Sequence, residues 1–377
     1  MTTRLTVRIL AACSPGEIRV AAMRDGTMLD YAIWRPGRPD GVGDLLRGRV
    51  SARVPAMAGV FVALPDADGF LPDSEGGAGL SEGMAAGVRV TRAAQGGKGP
   101  RLTANGIVPV PSGPPALLAR GPGAVERLAA LHPGAPILAD DPALVAQLRP
   151  MLGDRIQVGP VLDDVLLGWM DALASRDVPL PGGARASIHP TPALVAVDVD
   201  AGGATADRRA KPAAQMAANL AALPELARHI RLRNLSGAIL IDVAGMSLRR
   251  RPALAPAFAA ALQDDPLRPR FLGFTALGLA EIMRPRVHPP LHELLRGPHA
   301  AGLAALREVM AAAAAEPSAT FALRCAPDVA AALAGDPVAL PDLARRTGRS
   351  LMIHPDPAMS LSGHPFSGWI IERTARA

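Results

Sequence analysis

The residues best suited to chemistry are acidic and sit in two short apolar runs. TPALVAVDVDA carries Asp198 and Asp200, and GAILIDVAG carries Asp242 near its end. Both runs read as strands. Alternate side chains of a strand share a face, so Asp198 and Asp200 point one way and Val197 and Val199 the other. Between the runs, Met216, Leu220, Leu223, Leu226 and Ile230 fall near helical spacing, which predicts a helix from about Pro212 to Arg233. Pro224 is expected to kink or split it. A strand–helix–strand unit makes parallel strands through a right-handed crossover. Both carboxyl ends then lie on one edge, where α/β sheets place their sites. As neighbours ~4.8 Å apart, the strands would let Asp198 and Asp242 share one cation. Carboxylates that close repel one another unless neutralised. Magnesium takes a few carboxylates together with water and phosphate oxygens, and such an ion activates water against a phosphodiester. The competing reading is that each Asp caps the helix or turn that follows it.

Other groups carry less. The histidines, among them His229, His288 and His292, show no HExxH or other paired metal spacing and read as surface residues. Pro289 and Pro290 keep His288 and His292 off a common helix. The loop Gly96-Gly97-Lys98-Gly99 lacks the full nucleotide P-loop signature. Ser236-Gly237 reads as a helix stop. Arg249, Arg250 and Arg251 form a basic patch just past Asp242, suited equally to phosphate of a bound strand and to a solvated helix start. With Cys13 and Cys325 as the two cysteines, a disulfide framework and a Cys-rich zinc site are both excluded.

The chain has 377 residues, 49% apolar and 20% charged, which excludes a disordered chain and predicts two or three domains. Its formal net charge is +6, and Lys98 and Lys211 are the only lysines. An arginine-rich excess suits phosphate, although a base composition favouring arginine codons accounts for the skew equally well. No uncharged apolar run approaches ~18 residues, so no membrane helix is expected. Arg4 and Arg8 interrupt the first apolar stretch, which argues against a secretory signal and for a cytoplasmic protein.

The elements around the acids follow from the same patterns. Residues 1–40 alternate as two or three antiparallel strands with a turn near Asp25-Gly26. Residues 41–108 hold short strands cut by Gly, Pro and Asp, which suggests a small barrel. Residues 109–123 are rich in Pro and Gly and read as a linker. Helices and short strands alternate over 124–180. Residues 181–295 form a layered α/β unit, with a helix near Ala253–Gln263 and a strand plus a short helix in RFLGFTALGLAEIMRPR. Residues 296–377 look like a small α/β appendage, whose alanine run favours helix.

Three stretches carry a family resemblance: AVDVDAGGAT (196–205), NLAALPELARHIRLRNLSGAILIDV (219–243) and LGLAEIMRPR (277–286). They resemble the ribonuclease E/G family. GRVSARVPAMAGVFVALPDADGFLP (48–72) and GGKGPRLT (96–103) are similar to its inserted OB-fold, S-one type RNA-binding barrel. The resemblance implies an α/β multidomain fold. Residues 1–40 and 137–180 would form an RNase H-like domain, and 41–108 the barrel. Residues 109–136 would be a linker with a shortened remnant of a sensor for the RNA 5′ end. Residues 181–295 would be a deoxyribonuclease I-like catalytic domain, and 296–377 a small C-terminal domain. The implied activity is a magnesium-dependent endoribonuclease that cuts single-stranded RNA through a metal-activated water, leaving 5′-phosphate and 3′-hydroxyl ends. Asp198 and Asp242 fall on the family's metal-binding aspartates. Asp200 stands where the family has Asn, and would assist catalysis. Phe61 and Phe70 match base-stacking positions and Lys98 a groove lysine, an arrangement that suits single strands. Arg249 and Arg120 complete the RNA-binding candidates.

The sequence also departs from that pattern. No Cys-Pro-x-Cys follows Leu291, so no zinc-linked dimer is expected, and the oligomeric state is left open. The segment from Val110 to Pro136 is short for a 5′ sensor. It keeps Arg120, but Gly121 replaces a Thr. Gly245 replaces a second Asp, and Pro192 a Glu. These losses motivate the alternative of a non-catalytic RNA-binding relative.

Overall fold

A computed structural model describes residues 6–108, 110–161, 164–200, 211–360 and 368–374. Strands β1 (Arg8–Ser14), β2 (Glu17–Arg24) and β3 (Thr27–Trp34) form an antiparallel meander. Asp25 and Gly26 join the last two with φ of 50° and 74°, the two left-handed residues that a type I′ hairpin needs. The chain then forms β4 (Leu45–Val54), β5 (Gly59–Ala63), β6 (Asp68–Pro72), β7 (Ala85–Arg92) and β8 (Arg101–Thr103). Their order is β5-β6-β8-β7-β4, and β4 also pairs with β5. The five strands therefore close into a barrel, consistent with an OB-fold. Alternation fills it with Val60, Val62, Leu71, Val88, Val90 and Leu102. Within the stretch read as a linker, β9 (Ala116–Ala119) adds to the free edge of β4.

Next come α1 (Ala124–Leu131), β10 (Ile137–Ala139), α2 (Pro142–Leu152), β11 (Ile156–Val158) and α3 (Asp164–Ala174). β10 pairs in parallel with β1, giving the sheet β11-β10-β1-β2-β3. The following elements are β12 (Asp177–Pro179), β13 (Arg185–Pro190), β14 (Leu194–Asp200), α4 (Lys211–Leu232), β15 (Gly237–Asp242), α5 (Ala255–Ala261), β16 (Arg270–Phe274) and β17 (Ala280–Arg284). They build the sheet β12-β13-β14-β15-β17-β16, in which β14 and β15 run parallel and the other pairs antiparallel. The chain ends in α6 (Leu291–Leu294), α7 (Gly297–Ala315), β18 (Thr320–Cys325), α8 (Pro327–Ala334), α9 (Ala339–Thr347), β19 (Met352–Pro355) and β20 (Trp369–Thr374), with the sheet order β19-β18-β20.

These elements form two compact units. One comprises Met1–Pro39, Gly123–Leu167 and Leu291–Ala377; the other comprises Asp40–Pro122 and Gly168–Pro290. The barrel and the acid-bearing sheet thus share a unit. One face of that sheet is covered: Val195, Val197, Val199, Ile239 and Ile241 pack on Leu223, Leu226 and Ile230 of α4 and Phe258 of α5. Among the described residues no helix is long and apolar enough to cross a membrane. Cys13 and Cys325 are free and buried.

Three local expectations are corrected. α4 runs unbroken through Pro224. The carbonyl that Pro224 cannot serve belongs to Leu220, on the exposed side of the helix, while Leu223, Leu226 and Ile230 are fixed by burial. RFLGFTALGLAEIMRPR forms two strands rather than a strand and a helix, because Ala280, Ile282 and Arg284 alternate inward as β17 pairs with β15. The named histidines are not surface residues. His229 is buried and bonded to Glu225, and His288 bonds Asp40 at 2.7 Å. Burial, and then the charge of Arg296, push the His292 imidazole down to about 4.

In the first unit, the buried carboxylate of Glu17 receives Arg19, Arg35 and Arg307 at 2.8–2.9 Å, tying β2 to the chain after β3 and to α7. Burial alone would raise its pKa, but Arg19, Arg307 and Arg35 together hold it at about 2. A depressed carboxylate stabilises the fold above its unfolded pKa of ~4.3 and loses that contribution as pH falls toward the folded value. Unfolding titrations should therefore show a loss of roughly 3 kcal/mol between about pH 4.5 and 2. Glu17→Gln should remove that dependence and destabilise the protein at pH 7 by about 3–5 kcal/mol, since it strands three cations. In the second unit, buried Asn219 of α4 donates to Ala244 O (3.0 Å) and Gln215 O (2.8 Å) and accepts from Ala244 N (3.0 Å). Asn219→Ala leaves both Ala244 groups without a partner and should lower the unfolding free energy in urea by about 2–3 kcal/mol.

Candidate functional site

β14 and β15 are neighbours, and their register sets Asp198 directly beside Asp242. The apolar residues decide which way the acids face. Val195, Val197 and Val199 of β14 and Ile239 and Ile241 of β15 are buried under the helices, so Asp198, Asp200 and Asp242 occupy the opposite face. Asp198 and Asp200 are exposed and Asp242 half-buried, all at the carboxyl ends of their strands. One strand spacing between two unit charges gives a repulsion of about 1 kcal/mol in water and ~3 kcal/mol at an effective dielectric of 20.

Arg251 answers part of that repulsion. Its Nη1 donates to Asp242 Oδ1 at 2.8 Å and to Gly278 O at 2.8 Å, and its Nε to Met246 O at 3.0 Å. Its side chain is 12% exposed against 50% for Asp242, so the arginine is the fixed partner and the carboxylate the accessible one. The sequence reading grouped Arg249, Arg250 and Arg251 together; Arg249 and Arg250 are exposed in the turn after β15, and Arg251 alone turns back. No sequence signal separates the three, because the choice depends on where Gly278 lies. Asn219 was likewise not singled out as a site residue, although it lies in the NLAAL motif and pins Ala244, two residues past Asp242.

The departures fall at defined places. Gly245 has φ +59°, and a Cβ there would meet Gln215 Nε2 at 2.6 Å, so a larger residue would be strained in the backbone and would have to displace the end of the Gln215 side chain. Pro192 lies in the β13–β14 turn, at the end of β14 remote from Asp198. Asp200 sits opposite Arg185 in the register, two pairs beyond the one that sets Asp198 opposite Ser187. Among the described residues no group of three or more His, Cys, Asp or Glu has metal-holding geometry. Asp198 and Asp242 are therefore a two-carboxylate pair as described, and magnesium is an ion that takes few carboxylates and keeps water and substrate oxygens.

The barrel places the other candidates. Phe61 and Phe70 face each other across β5 and β6, with ring centroids 5.6 Å apart in an edge-to-face arrangement. They alternate with core residues Val60, Val62 and Leu71, so both rings are on the outside, half-exposed. Gly59 makes this possible, since a Cβ there would come within 2.6 Å of the Phe70 ring. Lys98 is exposed after a tight turn in which Gly96 and Gly97 have φ of 58° and 71°. Arg120 is not free: its Nη1 donates to buried Asp44 Oδ2 at 2.5 Å, and Gly121 N donates to Asp44 Oδ1 at 2.6 Å.

Comparison with known proteins places this arrangement in context. Residues 165–287 match the sequence model of the Ribonuclease E/G family. Ribonuclease E of a Nostoc species is 38% identical over 125 residues, covering 33% of this chain and 18% of that protein. Ribonuclease E of Escherichia coli is 34% identical over 125 residues, covering 33% and 12%. Ribonuclease G of Escherichia coli is 32% identical over 121 residues, covering 32% and 24%. The aligned part is thus at most a quarter of these three relatives, and the family-model match spans both acid-bearing strands. The stretch 165–287, with β14, α4 and β15 at its centre, is a domain of the Ribonuclease E/G family.

Proposed function

We propose that the protein is a magnesium-dependent endoribonuclease acting on single-stranded RNA, with cytoplasmic RNA as its substrate. The observation that carries this reading is the in-register pair Asp198–Asp242 on the open face of a sheet whose unit also contains an OB-like barrel. Asp198 and Asp242 hold the magnesium ion. When bound, that ion supplies a Lewis acid that acidifies water and draws charge from the phosphodiester. Arg251 fixes the rotamer of Asp242 and removes part of its repulsion with Asp198. Asp200 adds negative charge two pairs along and assists by favouring a cation over the pair. Phe61 and Phe70 stack bases, and Lys98 and Arg249 meet backbone phosphates. Hydrolysis breaks the bond between phosphorus and the 3′-oxygen, leaving a 5′-phosphate and a 3′-hydroxyl.

The pairing of Arg251 with Asp242 and the absence of a side chain at Gly245 favour a second reading, in which the fold binds RNA without cutting it.

A labelled single-stranded RNA with magnesium separates the two. Wild type should cleave it, EDTA should abolish the cleavage, and Asp198→Asn should lower the rate by on the order of 100-fold. Retained binding with no cleavage by either protein selects the second reading. Asp44 engages both Arg120 Nη1 and Gly121 N, which sets a carboxylate beside any terminal phosphate bound there. Rates on 5′-phosphorylated and 5′-hydroxyl versions of one RNA should therefore be similar; a strong preference for the phosphate would contradict this.

A further inference from the structure

A line of paired residues crosses the outside of the barrel. Phe61 pairs with Phe70, Phe70 with Arg101, and Arg101 with Arg92, so two rings and two guanidiniums follow one another over four strands. At one strand spacing per step the row is about 14 Å long. A third arginine arrives from the α/β sheet. The backbone of Ala93 bonds Val287 O at 2.8 Å, which holds the segment after β17 against the barrel. Arg286 Nη1 then lies 3.9 Å from where a Cβ of Gly96 would be. Gly237, at φ +82°, makes room for it, since a Cβ there would come within 2.5 Å of Arg286 Nη2.

None of these three arginines has a carboxylate partner among the described residues. Arg92, half-buried, has its Nε out of water and without a hydrogen-bond partner. Gln95 is 8% exposed, and its Nε2 is likewise unpartnered. Burial, and then the charges of Arg101 and Arg286, make the protonated Arg92 less favourable than usual. Like charges gathered around idle donors are costly to the free protein, and an anion relieves both problems at once. Guanidinium forks match phosphate oxygens in particular.

We propose that Arg92, Arg101, Arg286 and Gln95 form a subsite for a backbone phosphate of the RNA strand whose bases lie on Phe61 and Phe70. This rests on the RNA reading above and extends it. The strand that stacks on the two rings is carried along the row onto the arginines, and from there toward the sheet that bears Asp198 and Asp242.

The test is binding of a fluorescent single-stranded RNA to the full chain in EDTA, over a range of salt concentrations. Arg101→Gln and Arg286→Gln should each weaken binding several-fold and reduce the slope of log affinity against log salt by about 0.7. Phe70→Ala should weaken binding and leave the slope unchanged, and Arg286→Lys should keep most of it. Melting temperatures identify any variant that fails to fold; the surviving arginine variant then decides. If wild type binds RNA but the arginine variants keep both affinity and slope, the subsite is overturned and the RNA reading stands. Inorganic phosphate that stabilises wild type but not Arg101→Gln/Arg286→Gln, with equal RNA affinity, assigns the arginines to free phosphate and also overturns it. If wild type binds no RNA, both readings fall.

Discussion

Two like charges held side by side constrain everything around them. The parallel register of β14 and β15 sets Asp198 beside Asp242, and hydrogen bonds along both strands prevent the carboxylates from drifting apart. The repulsion is bearable because both face water and because Arg251 is fixed on one of them. The opposite face of the same strands is buried under α4 and α5, so a one-residue slip would drive the acids into the core. Core packing therefore fixes the register, and the register fixes the separation of the acids. The chemistry proposed for the site begins from that separation.

The second unit divides its charges by location. The acids gather at the carboxyl end of β14 and β15. Arg286 follows β17, whose last residue, Arg284, pairs with Gly237 at the other end of β15. Gly237 and Asp242 are five steps apart in β15, about 17 Å along the strand. A polyanion drawn to the arginines would thus approach the acids along the strand direction rather than meet both at once. Steering of this kind weakens as salt screens the exposed charges.

Much of this was legible in the sequence, for physical reasons that differ between elements. The β-α-β unit was readable because Val195, Val197 and Val199 alternate strictly with Ala196, Asp198 and Asp200, and because α4 is long enough to show its period. The Asp25-Gly26 hairpin was readable because few residue pairs accept two positive φ values. The outward placement of Phe61 and Phe70 was not, since a phenylalanine in a barrel strand suits either side; only the closure of five strands decides it. Arg251 escaped because its partners, Asp242 and Gly278, come from two different strand ends. Arg101 and Arg286 escaped for a similar reason: they are 185 positions apart, and a fold must be known before they can be neighbours. β16 and β17 were misread in part because alanine and leucine favour helix locally, while pairing with β15 decides the outcome.

The loop after Asp242 shows how a lost acid need not mean a lost site. Where the family resemblance places a second carboxylate, Gly245 has none, and the end of the Gln215 side chain lies beside it. The loop is nonetheless held from three directions. Asn219 takes both backbone groups of Ala244, Arg251 takes Met246 O, and the buried side chains of Val243 and Met246 anchor it to the core. Every one of these ties reaches the backbone or the core, and none uses the carboxylate of Asp242 except through Arg251. The geometry of the acid pair therefore does not depend on residue 245. Changing that residue alters the charge near the pair but not its position. If the pair holds magnesium as proposed, two acids in place of three would bind it more weakly and leave more of its coordination to water and the phosphate oxygens of the substrate.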